Sequence, residues 1–301
     1  MDGEELLQRY VDGERDFSGV DLREASLFTN DGSDPILKYA IFKGANLSQA
    51  QGYHIDFSGT DFSNACLEGT DIEYANLRRA NLSGANLKGT NLAETDLSCA
   101  DLSNADLTGA NISNSNLTDA NLLGANLNGI IQEGTLFCNT TMSDGSIYND
   151  PNRVIEASEL LRRYADGERK FYDVVIHRAN LEGVDLRDIK MARAFLSYSN
   201  LKEANLEGAN FNYANFWGAN LSGTNFSGAE MNHADLRDTD LRGADLSADM
   251  VAVNLSGANM IGAEWKSAWM LDAILWNTIC PNGEVVVQRC SVGSHQRRSL
   301  C

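Results

Sequence analysis

The residues of this sequence that could perform chemistry are its histidines, cysteines and carboxylates, and their spacing forms no known catalytic motif. None of the four histidines (His54, His177, His233 and His295) belongs to an H-E-x-x-H pattern. Phosphate-binding, dinucleotide-binding and nucleophile-elbow glycine patterns are also absent from the sequence. Carboxylates on an exposed surface stay solvated and make poor acid–base pairs. The sequence therefore predicts a protein that is not an enzyme and that uses no cofactor.

The cysteines and the Asp-Gly segments do not predict a metal site. No two cysteines form a C-x-x-C pair, which argues against zinc. Asp31-Gly32-Ser33-Asp34 and Asp144-Gly145-Ser146 resemble fragments of calcium loops, but neither has the full ligand set, so turns are favoured. Cys280 and Cys290 flank Pro281-Asn282-Gly283, which can turn a hairpin, and a disulfide between them is one prediction. In a reducing cytosol both would remain thiols.

Most carboxylates belong to a repeat of five residues, which is most regular from Ala75 to Leu127. Every fifth residue there is Leu or Ile, the residue before it is Asn or Asp, and the residue before that is small. In an α-helix, residues five apart lie about 140° apart around the axis, so these leucines would form no stripe. In a straight strand an odd period would alternate between two faces. The leucines share one core only if the chain turns at each unit, which predicts a β-solenoid of stacked coils.

This unit resembles the pentapeptide-repeat family, whose pattern A(D/N)LXX is met at every position by Ala80-Asn81-Leu82-Ser83-Gly84. The resemblance implies an all-β fold, a right-handed quadrilateral β-helix with four units in each coil. The central Leu or Phe and the small residue two positions before it would point inward. The resemblance covers most of the chain but implies no particular activity, because members of the family do different things on one scaffold.

Two tandem modules are predicted, because the start of the sequence recurs in its middle. Glu159–Phe171 matches Glu5–Phe17 at ten of thirteen positions. Leu6 and Tyr10 have helical spacing, so we expect a short helix to cap the first coil of each module, since an uncovered solenoid end exposes core and unpaired backbone. The predicted domains are a first capped solenoid over 1–132, a linker over 133–156, a second capped solenoid over 157–279 and a C-terminal tail over 280–301.

The repeat is interrupted at three places. Thr29–Pro35 contains turn residues, and the repeat resumes in phase at Leu37, which predicts a loop that bulges from one coil. Gly52 replaces a central apolar residue and predicts a second bulge. One residue is missing between Leu246 and Met250, which predicts a tightened corner.

The formal net charge is −18, and it is unevenly distributed. Residues 1–150 carry 23 acidic and 8 basic residues, a net charge of −15, whereas residues 151–301 carry 19 and 16, a net charge of −3. This excess of acid argues against direct binding to nucleic acid. The lack of a long apolar run argues against a membrane span. The acidic start, Met1–Glu5, differs from the basic start of a signal peptide and predicts a cytoplasmic protein.

The aspartates of the first module form the candidate binding surface. With four units in each coil, residues twenty apart stack in columns. One interpretation is that these side chains cap backbone turns and solvate the surface. The other is that a protein partner binds them. The candidate partner-binding residues are Asp31, Asp34, Asp56, Asp61, Asp71, Asp96, Asp101 and Asp106.

Three functions remain open. The favoured one is a non-enzymatic protein-binding or scaffolding module, similar to many cyanobacterial repeat proteins, some of which act in regulation; its partner and its oligomeric state are not predicted. The second is a DNA mimic that inhibits or protects a type II topoisomerase such as gyrase, because the family includes such proteins. Those proteins pair through an apolar C-terminal helix, whereas the tail Cys280–Cys301 is polar and strand-like. The third is a purely structural protein.

Overall fold

The computed structural model describes residues 1–29, 34–265, 267–286 and 290–291. The chain divides into two compact units, Met1–Asp150 and Pro151–Cys301. Most of the described backbone alternates between single bridging residues and turns, because each pentapeptide supplies one side of a coil. The longer elements of the described residues are α1 (Gly3–Val11), β1 (Thr140–Thr141), β2 (Ile147–Tyr148), α2 (Ala157–Ala165), β3 (Ile274–Leu275), β4 (Thr278–Ile279), β5 (Val285–Val286) and β6 (Cys290–Ser291).

Parallel bridges between successive coils build both units. In the first unit Asn81 pairs with Asp101, and Asp101 pairs with Asn121, so that one coil takes 20 residues or four pentapeptides. Backbone hydrogen bonds follow the same spacing, and the N–H of Leu102 donates to the carbonyl of Asn121 at 2.8 Å. The antiparallel pairs β1–β2, β3–β6 and β4–β5 lie at the C-terminal ends of the units. The architecture of each unit is a β-helix.

The apolar centres of the repeats fill the inside of the coils. Leu102 in the first unit and Leu221 in the second are 0% exposed, and most other central residues are similarly buried. Most of the residues two positions before the centres are buried as well. Where that residue is Thr, its hydroxyl is satisfied internally: Oγ1 of Thr90 donates to the carbonyl of Leu67 at 2.7 Å. Each unit therefore has its own continuous apolar core.

Each unit also contains one helix that packs against its core. Leu6 of α1 and Leu160 of α2 are both 0% exposed. Asp2 caps α1 by accepting the N–H of Glu5 at 2.8 Å. Gly3 permits the close approach of α1, because a Cβ there would lie 1.7 Å from a backbone carbonyl oxygen of the first coil. Neither helix among the described residues is long and apolar enough to cross a membrane.

The duplicated sequence after each helix forms the same contacts in both units. The guanidinium of Arg15 lies 3.7 Å from the ring centre of Tyr10, and that of Arg169 lies 3.8 Å from the ring centre of Tyr164. Both tyrosine hydroxyls donate to backbone carbonyls of the solenoid, at 3.1 and 2.9 Å. These cation–π contacts and hydrogen bonds fix each helix to its coils.

The interruption near Pro35 lengthens one coil without changing its phase. Ser26 pairs with Gln51, 25 residues later, whereas Ile36 pairs with Asp56, 20 residues later. The segment before Ile36 therefore adds five residues to the coil, the length of one repeat. Residues 30–33 lie outside the described part of the chain.

Gly52 does not mark a bulge, and that prediction is wrong. Gln51 pairs with Asp71 in the regular register. A Cβ on Gly52 would lie 3.3 Å from Cβ of Leu27 and 3.6 Å from two methyl carbons of Ile55. Ile55 stands where most repeats have Ala, so its larger side chain occupies the space that the missing central residue leaves.

The missing residue after Leu246 produces a tight corner. The N–H of Ala248 donates to the carbonyl of Leu246 at 2.7 Å. Bridges across this corner join residues 19 apart, such as Asp240 with Asn259, and the ladder continues in phase beyond it. The solenoid therefore absorbs the deletion at one corner.

Residues 133–150 belong to the first unit, although the sequence assigned them to the linker 133–156. Leu136 and Thr141 both pair with the preceding coil, and the β1–β2 hairpin follows them. The first unit extends to Asp150 because these residues continue the ladder without the full repeat pattern. Independent folding of the two units stays a prediction.

Candidate partner-binding surface

The solenoid of the first unit has four sides, and the candidate aspartates are spread over all of them. Residues that pair between coils lie on the same side. Asp56 and Asp96 lie on one side, Asp61 and Asp101 on a second, Asp106 on a third and Asp71 on a fourth. Asp34 is exposed beside Pro35, and Asp31 lies outside the described residues. The described candidates therefore do not form a single surface.

Several of these carboxylates cap turns of the backbone. Oδ1 of each accepts the N–H of the residue two positions later, at 2.9 to 3.1 Å, in Asp56, Asp61, Asp96, Asp101 and Asp106. Asparagines on the next coil add a second bond, as where Nδ2 of Asn81 donates to Oδ1 of Asp61 at 3.1 Å. These Asx turns explain why Asn or Asp precedes the central residue of most repeats.

Three candidates also form ion pairs. The N–O distances are 3.1 Å for Lys38 with Asp56, 3.3 Å for Arg78 with Asp96 and 3.2 Å for Lys88 with Asp106. The Arg78 side chain is only 4% exposed, so its pair with Asp96 is largely removed from solvent. A basic partner would have to compete with these internal cations at all three positions.

The fourth side, which carries Asp71, has more acidic residues than the sequence analysis recognised. We define the acidic side as residues 51–55, 71–75, 91–95, 111–115 and 131–135, which pair in order along the solenoid. It contains Asp71, Glu73, Glu94 and Glu133 but no Lys or Arg. The glutamates occupy outward positions one or two residues after the central position of their repeats. Their common side could have been read from their spacing once the coil length was known.

Aromatic rings adjoin these carboxylates at one end of the acidic side. The hydroxyl of Tyr53 donates to Oδ2 of Asp71 at 2.6 Å, and this bond raises the pKa of Tyr53. His54 stacks on Tyr74 with ring centres 4.8 Å apart and planes 10° apart, and Tyr74 is 47% exposed. Further along, Nδ2 of Asn114 donates to Oε1 of Glu94 at 2.9 Å. This side therefore offers both negative charge and exposed aromatic area.

Hydrogen bonds lower the pKa of several turn-capping aspartates. The Thr108 hydroxyl, assisted by its N–H and by Lys88, lowers the pKa of Asp106. The hydroxyls of Ser18 and Ser146 likewise lower the pKa values of Asp16 and Asp144. A carboxyl whose pKa is lower in the folded than in the unfolded state stabilises the fold above the unfolded pKa, and that stabilisation is lost as the pH falls.

We therefore expect the melting temperature to fall as the pH is lowered from about 5 towards 2, because unfolded aspartates titrate near pH 3.9. The combined substitution Asp16→Asn, Asp106→Asn and Asp144→Asn should make this fall smaller, because Asn can cap the same turns and does not titrate. Calorimetry of both proteins across this pH range measures the difference. If the melting temperature fell equally with pH in the two proteins, the stabilising role assigned to these three carboxylates would be contradicted.

Asp144 caps a turn of the backbone, as the sequence favoured. Its Oδ1 accepts the N–H and the hydroxyl of Ser146 at 2.9 and 2.6 Å. Across the described residues, no three His, Cys, Asp or Glu side chains are grouped so that they could hold a metal ion.

Cys280 is buried at 0% exposure and is disulfide-bonded. Cys290 lies in β6, opposite Leu275 of β3, but its side chain lies outside the described part of the structure. The Cys280–Cys290 pairing therefore stays a prediction. Cys66, Cys99 and Cys138 are not disulfide-bonded.

Comparison with known families identifies the repeat. The profile described as pentapeptide repeats matches eight copies, within residues 36–73, 75–114, 96–131, 170–208 and 209–247. The chain belongs to the pentapeptide-repeat family. This membership confirms the resemblance seen in the sequence and assigns the right-handed β-helix to the coils described above. The matching family is not a catalytic one.

Several solved protein structures are similar to this chain. HetL, from the cyanobacterium Nostoc sp. strain PCC 7120 and involved in heterocyst differentiation regulation, is 26% identical over 95% of this chain and 100% of its own, with a TM-score of 0.32. Rfr23, from the cyanobacterium Cyanothece 51142, is 26% identical over 44% of this chain and 97% of its own, with a TM-score of 0.29. QnrB1, a plasmid-mediated fluoroquinolone resistance protein, is 17% identical over 81% and 86%, with a TM-score of 0.21. No curated protein sequence matches this pentapeptide-repeat protein.

Proposed function

We propose that this pentapeptide-repeat protein is a non-enzymatic protein-binding or scaffolding module and that the acidic side of its first unit contacts the partner. The observation that carries the proposal is the grouping of Asp71, Glu73, Glu94 and Glu133 on a side without Lys or Arg. The inward residues serve the fold, so the outward ones are free to vary and to provide specificity. Of the candidate aspartates that the structure describes, only Asp71 lies on this side, and contacts by the others stay predictions.

The chemistry of the acidic side indicates a partner with a basic surface. Stacked coils are about 4.8 Å apart, so the carboxylates follow one another along a narrow strip. Such a strip accelerates association with a positively charged surface and selects against acidic ones. The exposed ring of Tyr74 beside Glu73 adds apolar contact area at one end of the strip.

We also propose that the chain consists of two tandem capped modules. The burial of Leu6 and Leu160 and the repeated contacts of Arg15 and Arg169 support a capping role for α1 and α2. A covered end prevents one solenoid from pairing edge to edge with another. A cytoplasmic location and the absence of direct nucleic-acid or membrane binding remain predictions of this proposal.

Charge removal on the acidic side tests the proposed contact. We expect the combined substitution Glu73→Gln, Glu94→Gln and Glu133→Gln to weaken partner binding about tenfold, because three exposed ion pairs at about 0.5 kcal/mol each correspond to that factor. Full-length wild-type and variant proteins serve as baits in lysate of the native cells, and captured proteins are quantified by mass spectrometry at low and high salt.

The matched control is Glu4→Gln, Glu24→Gln and Glu68→Gln, which removes the same charge elsewhere in the first unit. Equal loss of the same partners with both variants would show a nonspecific charge effect and would contradict the proposed site. A topoisomerase among the partners, displaced by DNA, would instead support the DNA-mimic alternative. Absence of any partner would favour the purely structural alternative.

A further inference from the structure

Two asparagines of the sequence, Asn128 and Asn282, are followed by glycine. At such a pair the backbone nitrogen of the glycine can attack the side-chain amide carbon of the asparagine. A succinimide ring closes, ammonia leaves, and water then opens the ring to give aspartate or isoaspartate. Glycine favours the attack because it has no Cβ to hinder the approach and its backbone is free to rotate. The reactivity of each site therefore depends on how firmly the fold holds these atoms.

Gly129 lies where the stack of coils in the first unit ends. Gly89 and Gly109, at the same place on the two preceding coils, donate their N–H to carbonyls of the following coil at 3.0 and 2.9 Å. After Gly129 the chain enters the β1–β2 hairpin and forms no further coil on this side. Within the described part of the chain, the N–H of Gly129 donates to no acceptor. Its nitrogen is therefore not tied into the ladder.

The side chain of Asn128 is exposed and forms no hydrogen bond with the residues that the structure describes. Only its main chain is held: the N–H donates to Oδ1 of Asn126 at 3.2 Å, and the carbonyl accepts the N–H of Gly109 at 2.9 Å. The amide carbon that would be attacked can therefore rotate towards the nitrogen of Gly129, and water has access to it.

Asn282 and Gly283 are also exposed, but both reacting groups of this pair are held by hydrogen bonds. Oδ1 of Asn282 accepts the N–H of Glu284 at 2.9 Å, and Nδ2 donates to Oε2 of Glu284 at 3.0 Å. The N–H of Gly283 donates to the carbonyl of Cys280 at 2.9 Å. Attack at Asn282 requires these bonds to break first, so exposure alone does not make the two sites equivalent.

We propose that Asn128 is a site of spontaneous deamidation in the folded protein and that Asn282 is protected by its hydrogen bonds. Hydroxide removes the proton of the Gly129 nitrogen, which forms a bond to Cγ of Asn128, and the side-chain nitrogen takes up a proton and leaves as ammonia. One water then hydrolyses the succinimide at either of its two carbonyls, which gives aspartate or isoaspartate. This modification is independent of the protein-binding function proposed above, so either proposal can fail without the other.

Both products change the last coil of the first unit. Each adds one negative charge at residue 128. In isoaspartate the main chain runs through the former side-chain carbons, and the former main-chain carbonyl becomes a free carboxylate. Because that carbonyl accepts the N–H of Gly109, we expect isoaspartate to hold the last coil less firmly on the coil before it.

The test incubates the folded full-length chain at mildly alkaline pH and follows both sites by peptide mapping. Mass spectrometry with electron-transfer fragmentation measures the deamidated fraction and distinguishes isoaspartate from aspartate. We expect Asn128 to react at least about tenfold faster than Asn282, because hydrogen bonds of both reacting groups must break before attack at Asn282. In urea with a thiol reductant, where neither site keeps its hydrogen bonds, the two rates should become similar.

Asn128→Gln is the matched variant, because its longer side chain would have to close a six-membered ring. It should abolish the reaction at residue 128 and leave that at Asn282 unchanged. A substitution of Gly129 is less suitable, since its φ of +68° would strain any other residue. Hydrogen exchange around Gly109 should become faster in the wild type as isoaspartate accumulates, and it should stay constant in the variant.

Equal rates at Asn128 and Asn282 in the folded chain would overturn the proposal, because the hydrogen bonds would then not control the reaction. Reaction at Asn128 only after unfolding in urea would also overturn it. Unchanged exchange around Gly109 despite accumulated isoaspartate would refute the expected loosening of the last coil.

Discussion

Leu102→Asp is expected to unfold the unit formed by Met1–Asp150 and to leave the unit formed by Pro151–Cys301 folded. Leu102 is 0% exposed in the middle of the first core. Truncation of such a leucine to Ala already costs about 2–5 kcal/mol. A carboxylate in its place adds the cost of burying a charge, and the sum approaches the total of about 5–15 kcal/mol that stabilises a typical domain. Unfolding should spread along the first unit, because each coil is stabilised only by its neighbours.

Hydrogen exchange followed by mass spectrometry, together with calorimetry, distinguishes the two units. In the variant, amides of residues 1–150 should lose protection while those of the second unit keep it. The matched control is Leu123→Asp, because Leu123 lies at an outward position and is 49% exposed. In the Leu123→Asp variant, the protection of amides from exchange should stay close to that of the wild type. Unfolding of both units by Leu102→Asp would refute their independence, and retained protection of the first unit would refute a core role for Leu102.

Leu6→Ala is expected to lower the free energy of unfolding of the first unit by about 2–5 kcal/mol, the usual cost of truncating a fully buried leucine. Leu6 is 0% exposed and belongs to the first core, although it lies in α1 and not in the repeat. Leu160→Ala should have the same effect on the second unit, because Leu160 occupies the equivalent place in α2. The two results together test the proposal that both helices are caps.

Urea denaturation with hydrogen exchange as the readout measures these changes. Val11→Ala is the control, because Val11 is in the same helix but is 77% exposed, and substitutions of exposed residues usually change stability by less than about 0.5 kcal/mol. If Leu6→Ala lowers the free energy of unfolding no more than Val11→Ala does, α1 does not stabilise the first unit and the proposed cap is wrong. New oligomers of Leu6→Ala would indicate that an uncovered coil pairs with other molecules.

The sequence predicted the repeat and its inward residues well because they depend on local rules. Each pentapeptide turns once, so its central residue meets the core wherever the unit occurs, and the Asn or Asp before it caps the turn. The position of α2 followed from the duplication of Glu5–Phe17. Prediction was weaker where the ladder continued without the pattern, as at Leu136 and Thr141, because a bridge needs only backbone atoms.

The binding surfaces depend on which outward residues the coils bring together. The sequence pointed to aspartates before the repeat centres, but Lys38, Arg78 and Lys88 pair with three of them. Glu73 and Glu94, 21 residues apart, come to lie on the acidic side because the coil has 20 residues.

By itself the sequence determined the family, the five-residue period and the two inward positions of each repeat, because these depend on contacts within one pentapeptide. Only the tertiary structure decided the effects of irregular residues and the composition of each side. The register is kept at Gly52 because Ile55, from the next pentapeptide, and Leu27, from the preceding coil, fill the space beside it. The charge of a side likewise depends on residues about twenty positions apart, which come close together only when the coils stack.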